Sequence, residues 1–227
     1  MGARWLTVLI VAVVLVLAPL AVRARPVVAP AVAPVELATR VLQSHSLGWS
    51  GYVESRGSLQ IPTSTSFANL AQLLGESNDL RVWWRGPDDW RVDRLRSTGE
   101  TDLFRHGSQT VRWVFESRTA TITPVSRIRL PDASDLLPPT LARTVLEGFR
   151  PTELTPLPPR RLAGASAVGL RLTPNEEAAS LAHVDLWADP RTGLALGVKL
   201  YAPDNPRPVP RGGPTAILSG PALPALQ

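Results

Sequence analysis

Catalysis needs a nucleophile, a base or a metal set within reach of one another, and few residues of this chain qualify. The 227 residues include no cysteine, which excludes thiol chemistry, disulfides and thiolate-bound zinc. His45, His106 and His183 stand far apart, and none lies at metal-ligand spacing from a carboxylate; they read as surface or turn residues. Gly164-Ala-Ser-Ala-Val-Gly169 has the outline of a nucleophile elbow, but Gly-x-Ser-x-Gly requires glycine where Val168 stands. Ser166 reads instead as part of a turn leading into a strand. A phosphate-binding loop needs a lysine behind its glycines, and the single lysine, Lys199, falls in a strand pattern. Asp88-Asp89 are explained by turn formation, and Glu176-Glu177 by the start of a solvated helical turn. The sequence assigns no catalytic residue, no metal and no cofactor, and it predicts a binding protein rather than an enzyme.

The residues that stand out are tryptophans. Trp83 and Trp84 are neighbours on a predicted strand and must point to opposite faces. Val82 and Trp84 are expected to share one face with Trp90, Val92, Val111, Trp113 and Phe115. On the other face Trp83 lies between Arg81 and Arg85, where a guanidinium can stack on it. Burying one large apolar side chain is worth roughly 1.5–3 kcal/mol, so the first face must be covered. Predicted helices at 36–46, 67–74 and 139–148 are the available covers. Their packing on a curved sheet yields either a solid core or a lined cavity, and the spacing of residues leaves both open.

These elements follow from local pattern. Leu37, Val41 and Leu42 share one side of a helix over 35–46 that Gly48 ends. Trp49 to about Leu59 alternates as a strand. Phe67, Leu70, Leu73 and Leu74 recur at helical spacing. Leu80–Arg85 and Trp90–Arg94 flank Gly86-Pro87-Asp88-Asp89, a hairpin signal. Thr101–His106, Thr110–Glu116 and Thr119–Pro124 continue an antiparallel meander, because links this short cannot cross over to a parallel neighbour. Leu137, Leu141, Val145 and Phe149 recur every four residues behind Pro138-Pro139, which are tolerated in a first helical turn. Residues 151–161 read as proline-rich and extended. Ala167–Thr173, Val184–Trp187 and Leu194–Tyr201 read as strands, the last with one apolar face. Residues 203–227 hold seven prolines and no alternating run, so order is expected to fade after Tyr201. The class is α+β with an antiparallel sheet.

Trp5–Val22 is an uncharged run of 18 residues behind Arg4, long enough to insert into a membrane. Val22-Arg23-Ala24 is a poor cleavage site, so both a signal peptide and a retained anchor stand open, and the flanking arginines leave orientation open. Either way the expectation is export, to the outer face of the cytoplasmic membrane or beyond. Residues 1–25 are the leader, 26–34 a Pro/Ala linker, 35–202 the domain and 203–227 a Pro/Gly-rich tail. The net charge of +5 is not a nucleic-acid signal. Residues 26–227 carry 21 basic and 19 acidic groups, and 23 of the chain's 24 basic residues are arginine, a usage typical of GC-rich coding. No nucleic-acid partner is expected.

The succession Trp49-Ser-Gly-Tyr-Val-Glu-Ser, Leu80-Arg-Val-Trp-Trp-Arg-Gly-Pro-Asp-Asp-Trp-Arg-Val-Asp, Gly99-Glu-Thr-Asp-Leu-Phe-Arg-His-Gly and Val111-Arg-Trp-Val-Phe resembles the LolA-like superfamily. The nearest branch looks like actinobacterial exported proteins related to the N-terminal domain of the sigma-E regulator RseB (MucB). Pro131-Asp-Ala-Ser-Asp-Leu-Leu-Pro-Pro and Val184-Asp-Leu-Trp-Ala-Asp-Pro-Arg-Thr-Gly-Leu resemble it too, and the likeness covers about residues 36–202. It implies a strongly curved antiparallel half-barrel with helices packed in the concave face over an apolar cavity. It also implies a lipid or lipoprotein acyl chain as ligand, with Val82, Trp84, Trp90, Trp113, Phe115, Leu141 and Val145 lining the cavity. The alternative partner is an anti-sigma factor or other membrane protein in envelope signalling. Family members continue with further strands beyond 194–201, so a shortened C-terminus with an unpaired sheet edge is the expectation here. With no cysteine behind the leader, any membrane tether must be the segment 5–22.

Overall fold

The computed structural model describes residues 2–24, 26–56, 77–125, 133–175, 181–201 and 215–223. The expected helix at 67–74 and the Glu176-Glu177 turn lie outside them.

The meander forms as the turn chemistry dictates. Strands β1 (Trp49–Arg56), β2 (Ser77–Gly86), β3 (Asp89–Arg96), β4 (Gly99–His106), β5 (Gln109–Val114) and β6 (Thr119–Pro124) pair in sequence, each antiparallel to the next. A second antiparallel set comprises β7 (Leu154–Leu162), β8 (Ala165–Leu172), β9 (His183–Ala188) and β10 (Ala195–Tyr201). One further strand, β11 (Thr215–Leu223), pairs with β1 on one side and β10 on the other. Among the described residues the strands form one sheet of eleven in the order β6-β5-β4-β3-β2-β1-β11-β10-β9-β8-β7, not closed into a barrel.

Strand β11 corrects the expectation that order fades after Tyr201. Residues 215–223 alternate little, and Pro221 sits among them. A strand placed between two partners draws its stability from both ladders, so weak intrinsic preference does not prevent it. No sheet edge is left at β10. Among the described residues the edges are β6 and β7, and the prolines at 156, 158 and 159 are accommodated because β7 is an edge strand.

Helix α1 spans Gly2–Ala24, α2 Pro34–Gln43 and α3 Pro138–Leu146. Proline opens both α2 and α3 within the first turn, where its missing N–H costs nothing. Short 3-10 turns at Ser44–Ser46 and Ala133–Leu136 extend or precede them. Along α1 every residue from 4 to 17 is exposed, although all but Arg4 and Thr7 are apolar. Among the described residues no helix is long and apolar enough to cross a membrane.

The interior has two clusters. Leu37, Ala38 and Val41 of α2 and Ala142 and Leu146 of α3 pack on Leu170, Leu172, Val184, Leu186 and Val198. Trp49, Val53, Leu80, Val82, Trp84, Trp90 and Val92 form the other cluster with Ala133 and Leu137. Leu141 of α3 packs against both. Helix α2 therefore covers β8–β10, and not the tryptophans it was expected to cover. By the ladder, the β1–β3 residues of the second cluster lie on the same side of the sheet as the α2–α3 cluster, whereas Trp187, which also joins the second cluster, is next to Leu186 and faces the other way. Leu186 is opposite Val198, Val198 opposite Ala216, Ala216 opposite Ser55, and Val53, on the same side as Ser55, is opposite Leu80.

Two local features fix this packing. Gly193, at φ +74°, ends the turn in which Asp189 Oδ1 accepts from the N–H groups of Arg191 and Thr192. A Cβ there would stand 2.3 Å from the carbonyl oxygen of Arg40, so the turn seats α2 directly. In β10 a bulge between Ala195 and Gly197 changes which side each residue faces. Leu194 and Leu196 join the tryptophan cluster, and Val198 and Leu200 join the α2–α3 cluster. The single apolar face expected over 194–201 is thus divided between two clusters.

Candidate functional site

The apolar wall expected from the tryptophans forms around β1–β3. Trp49 is opposite Trp84, Trp84 opposite Trp90 and Val82 opposite Val92. The Trp84 and Trp90 rings stack with centroids 5.9 Å apart and planes 5° from parallel. Trp90 Nε1 donates to the Pro87 carbonyl at 3.2 Å, so the hairpin turn satisfies the one polar atom of that ring. Val82, Trp84 and Trp90 are all buried, as are Trp49 and Val92. The Ala133–Leu136 turn, Leu137 and Leu141 pack against this wall. Leu137 is fully buried.

Four other residues of the expected lining fare differently. Leu141 meets the wall, while Val145 packs only in the α2–α3 cluster. Trp113 does not share the face. Trp90 is opposite Arg105 and Arg105 opposite Thr110, so Thr110, Arg112 and Val114 continue the inner side along β5. Val111 and Trp113 point the other way, Trp113 opposite Asp102. Phe115 lies past the end of β5 and is 63% exposed. Trp49, absent from the expected lining, is central to the wall. Its alternation with Gly51 and Val53 is the signal that places it there.

The opposite face carries an alternation of arginine and aromatic rings. Arg81 lies 5.8 Å from the Tyr52 ring and 5.9 Å from that of Trp83. Arg91 lies 5.1 Å from Trp83 and 4.7 Å from Phe104. The expected stacking of Arg81 on Trp83 is present. The second cation is Arg91, the cross-strand neighbour of Trp83, and not Arg85. Arg85 instead reaches Asp89 at 3.7 Å.

Beside this ladder two carboxylates are forced together. Asp93 and Asp102 are directly opposite on β3 and β4, and both are buried. Arg91 Nε donates to Asp93 Oδ1 at 2.5 Å, and its Nη2 donates to Asp102 Oδ2 at 3.1 Å. Asp93 Oδ2 and Asp102 Oδ1 are buried without a hydrogen-bond partner. Burial first, and the Asp93 charge second, push the Asp102 carboxyl up to about 6, against the pull of Arg91. The Arg91 guanidinium is raised in turn, chiefly by its bond to Asp93. With Glu100 these carboxylates form a trio whose oxygens lie within 4.8 Å of one another.

The remaining polar groups fall on structural duties. Ser166 lies within β8, opposite Arg161, behind a turn made by Ala163 and Gly164 at positive φ. His106 is on the surface, 3.8 Å from Asp89. His183 stacks on Tyr201 at 4.1 Å, and burial lowers its pKa. Asp185 accepts both Nε and Nη2 of Arg171, at 2.6 and 2.9 Å. Trp187 is 2% exposed, with Arg160 4.1 Å over its ring and its Nε1 donating to the Pro158 carbonyl at 3.1 Å. A hollow of about 440 Å³ lies at the ends of β1 and β2, bounded by Glu54, Ser55, Arg56, Ser77 and Asp79. It is polar and separate from the tryptophan wall.

No family model matches the chain, and no curated protein matches it. Among solved structures it is similar to an uncharacterized conserved protein from Thermus thermophilus, at 12% identity and a TM-score of 0.42, over 81% of this chain and 83% of that one. It is similar to the MucA/MucB complex of Pseudomonas aeruginosa at 15% identity and a TM-score of 0.49, over 83% of this chain but only 56% of that one. It is also similar to the LolA superfamily protein NE2245 from Nitrosomonas europaea, at 15% identity and a TM-score of 0.32, over 86% and 83%. The chain thus spans little more than half the length of the matched chain in the MucA/MucB structure. In its own element order and topology the chain is an open antiparallel sheet with helices packed against it, the α+β class expected from its sequence.

Proposed function

We propose that the domain is a non-enzymatic, extracytoplasmic binding protein that takes a lipid or acyl chain between the tryptophan wall and the 133–141 segment. One observation carries this reading. Trp49, Val82, Trp84, Trp90 and Val92 form a continuous apolar wall that is met by a 3-10 turn and the first turns of a short helix. Prying away two helical turns exposes far less backbone than opening a sheet, and an acyl chain gains affinity from apolar area and shape. The exposed apolar side chains of α1 support a location at the membrane from which such a chain would come. Alkaline extraction and protease accessibility of membranes from the host would test that location.

Quenching by fatty acids brominated along the acyl chain tests the binding site. The bromines quench tryptophan on contact, and Trp49, Trp84 and Trp90 are the rings within reach. We expect saturable quenching that drops by about half or more in the Trp84→Phe/Trp90→Phe variant. No quenching, together with no lipid in native mass spectra of protein purified from its host, removes the proposal.

A second reading has its own observation. Tyr52 and Trp83 are 53% and 41% exposed beside Arg81 and Arg91, a composition that anchors protein interfaces. On this reading the domain binds an anti-sigma factor or other membrane protein. Loss of a crosslinked membrane partner in Trp83→Ala, with lipid quenching intact, would favour it.

A further inference from the structure

The two edges of the sheet differ in how they meet solvent. Edge β7 reads Leu-Thr-Pro-Leu-Pro-Pro-Arg-Arg-Leu, with three prolines, two arginines and a register shift between Leu157 and Arg160. These features block the addition of another strand. Edge β6 reads Thr-Ala-Thr-Ile-Thr-Pro; all six residues are exposed, none is charged, and no register shift interrupts its pairing with β5. Among the described residues no strand lies outside it. Exposed apolar side chains gather on the same hairpin: Phe115 and Ile122 at 63% and Val125 at 37%.

Backbone hydrogen bonding fixes which groups of β6 are open. Val125 N–H donates to the Ser108 carbonyl at 3.0 Å, in register with the β5–β6 ladder. Because bonded and non-bonded pairs alternate in an antiparallel ladder, Thr119, Thr121 and Thr123 bond inward to β5. Ala120 and Ile122 then turn both N–H and C=O to the open edge, and Pro124 adds a carbonyl without a donor.

We propose that this edge is the interface for a second copy of the chain, β6 pairing antiparallel with β6 of the other protomer about a twofold axis at Thr121. In that register Ala120 faces Ile122 of the other copy, and each pair exchanges both backbone bonds, four in all. Thr121 faces its own counterpart in a non-bonded pair, and Thr119 faces Thr123. Threonine meets threonine on one side of the extended sheet, and alanine meets isoleucine on the other. An uncharged strand pairs with itself without like-charge repulsion, and Pro124 ends the pairing where its donor is missing. The proposal does not depend on what the tryptophan wall binds.

The natural absence of cysteine makes the register testable in the full chain in detergent. Only a residue opposite itself can crosslink across the axis at disulfide distance. We expect Thr121→Cys to form a disulfide dimer under mild oxidation at least about tenfold faster than Ala120→Cys or Thr123→Cys. Ile122→Pro removes an N–H that faces away from β5, and it should yield monomer by sedimentation with an unchanged circular dichroism spectrum. Equal crosslinking at all three positions, or a monomer at micromolar concentration before any substitution, overturns the proposal. So does sedimentation of this chain only as a complex with a different protein.

Discussion

Trp84 is 6% exposed and Trp83 41% exposed although they are neighbours in the chain, and their substitutions should separate accordingly. Trp84→Ala opens the stacked pair with Trp90 and is expected to cost about 3–5 kcal/mol in urea unfolding. Trp83→Ala removes ring contacts with two arginines at a half-exposed site and should cost about 1 kcal/mol. Asp102 gives a pH signature at the same scale. Its folded pKa, about 6, stands above the ordinary 3.8, so the native state holds its proton where the unfolded chain has released it. Its contribution to stability is therefore complete below about pH 4 and is lost as pH rises through 6. Asp102→Asn should be more stable than the parent by roughly 1–3 kcal/mol at pH 8 and no more stable at pH 4. Denaturation midpoints at the two pH values check this; equal midpoint differences would show that the Asp93–Asp102 pair is not what sets the slope. The sequence shows Asp93 and Asp102 only as isolated acids, because eight residues and a hairpin separate them. Only the pairing of β3 with β4 makes them a pair.

At the scale of elements, the close approaches are made by glycines. Gly169 lies under Trp187, where a Cβ would stand 2.6 Å from the indole nitrogen and 2.8 Å from Leu157 Cβ. Gly169→Ala must displace the ring from Pro158 and Arg160, and we expect a loss of about 1–3 kcal/mol with a changed tryptophan emission. Gly193→Ala adds a left-handed backbone to a contact with the Arg40 carbonyl, and it should destabilise more and loosen α2, as read by hydrogen exchange over 34–43. The meander was legible because its turns carry their own chemistry: Gly86-Pro87-Asp88-Asp89 and Gly107-Ser108 stop one strand and start the next. Which side chains then share a face was less legible. The parity of each turn propagates, and by β5 it had turned Trp113 away from the wall on which local alternation placed it.

For the whole molecule, β11 decides most. It joins a six-stranded half to a four-stranded half through β1 and β10, so the sheet is continuous only if residues 215–223 are present. A chain ending after Tyr201 should lose cooperative unfolding or fail to accumulate in soluble form. Limited proteolysis of the full chain should give a resistant core that retains 215–223, whereas the sequence alone predicts a core ending near residue 202. Mass spectrometry of the fragments distinguishes the two.

The residues by themselves determined the antiparallel meander, the helices (read at 35–46 and 139–148, observed at 34–43 and 138–146), the split of Trp83 from Trp84 and the absence of a recognisable catalytic motif. All of these rest on periodicity, turn chemistry or spacing, which act within a dozen residues. Tertiary structure decided the rest: the strand at 215–223, the opposed Asp93 and Asp102, the place of Trp49 in the wall and the open edge at β6. Each of those depends on which strand lies beside which. That choice is made by burial and ladder hydrogen bonds between strands, some adjacent in sequence like β3 and β4 and others at opposite ends of the domain like β1 and β11, and no pattern within one segment records it.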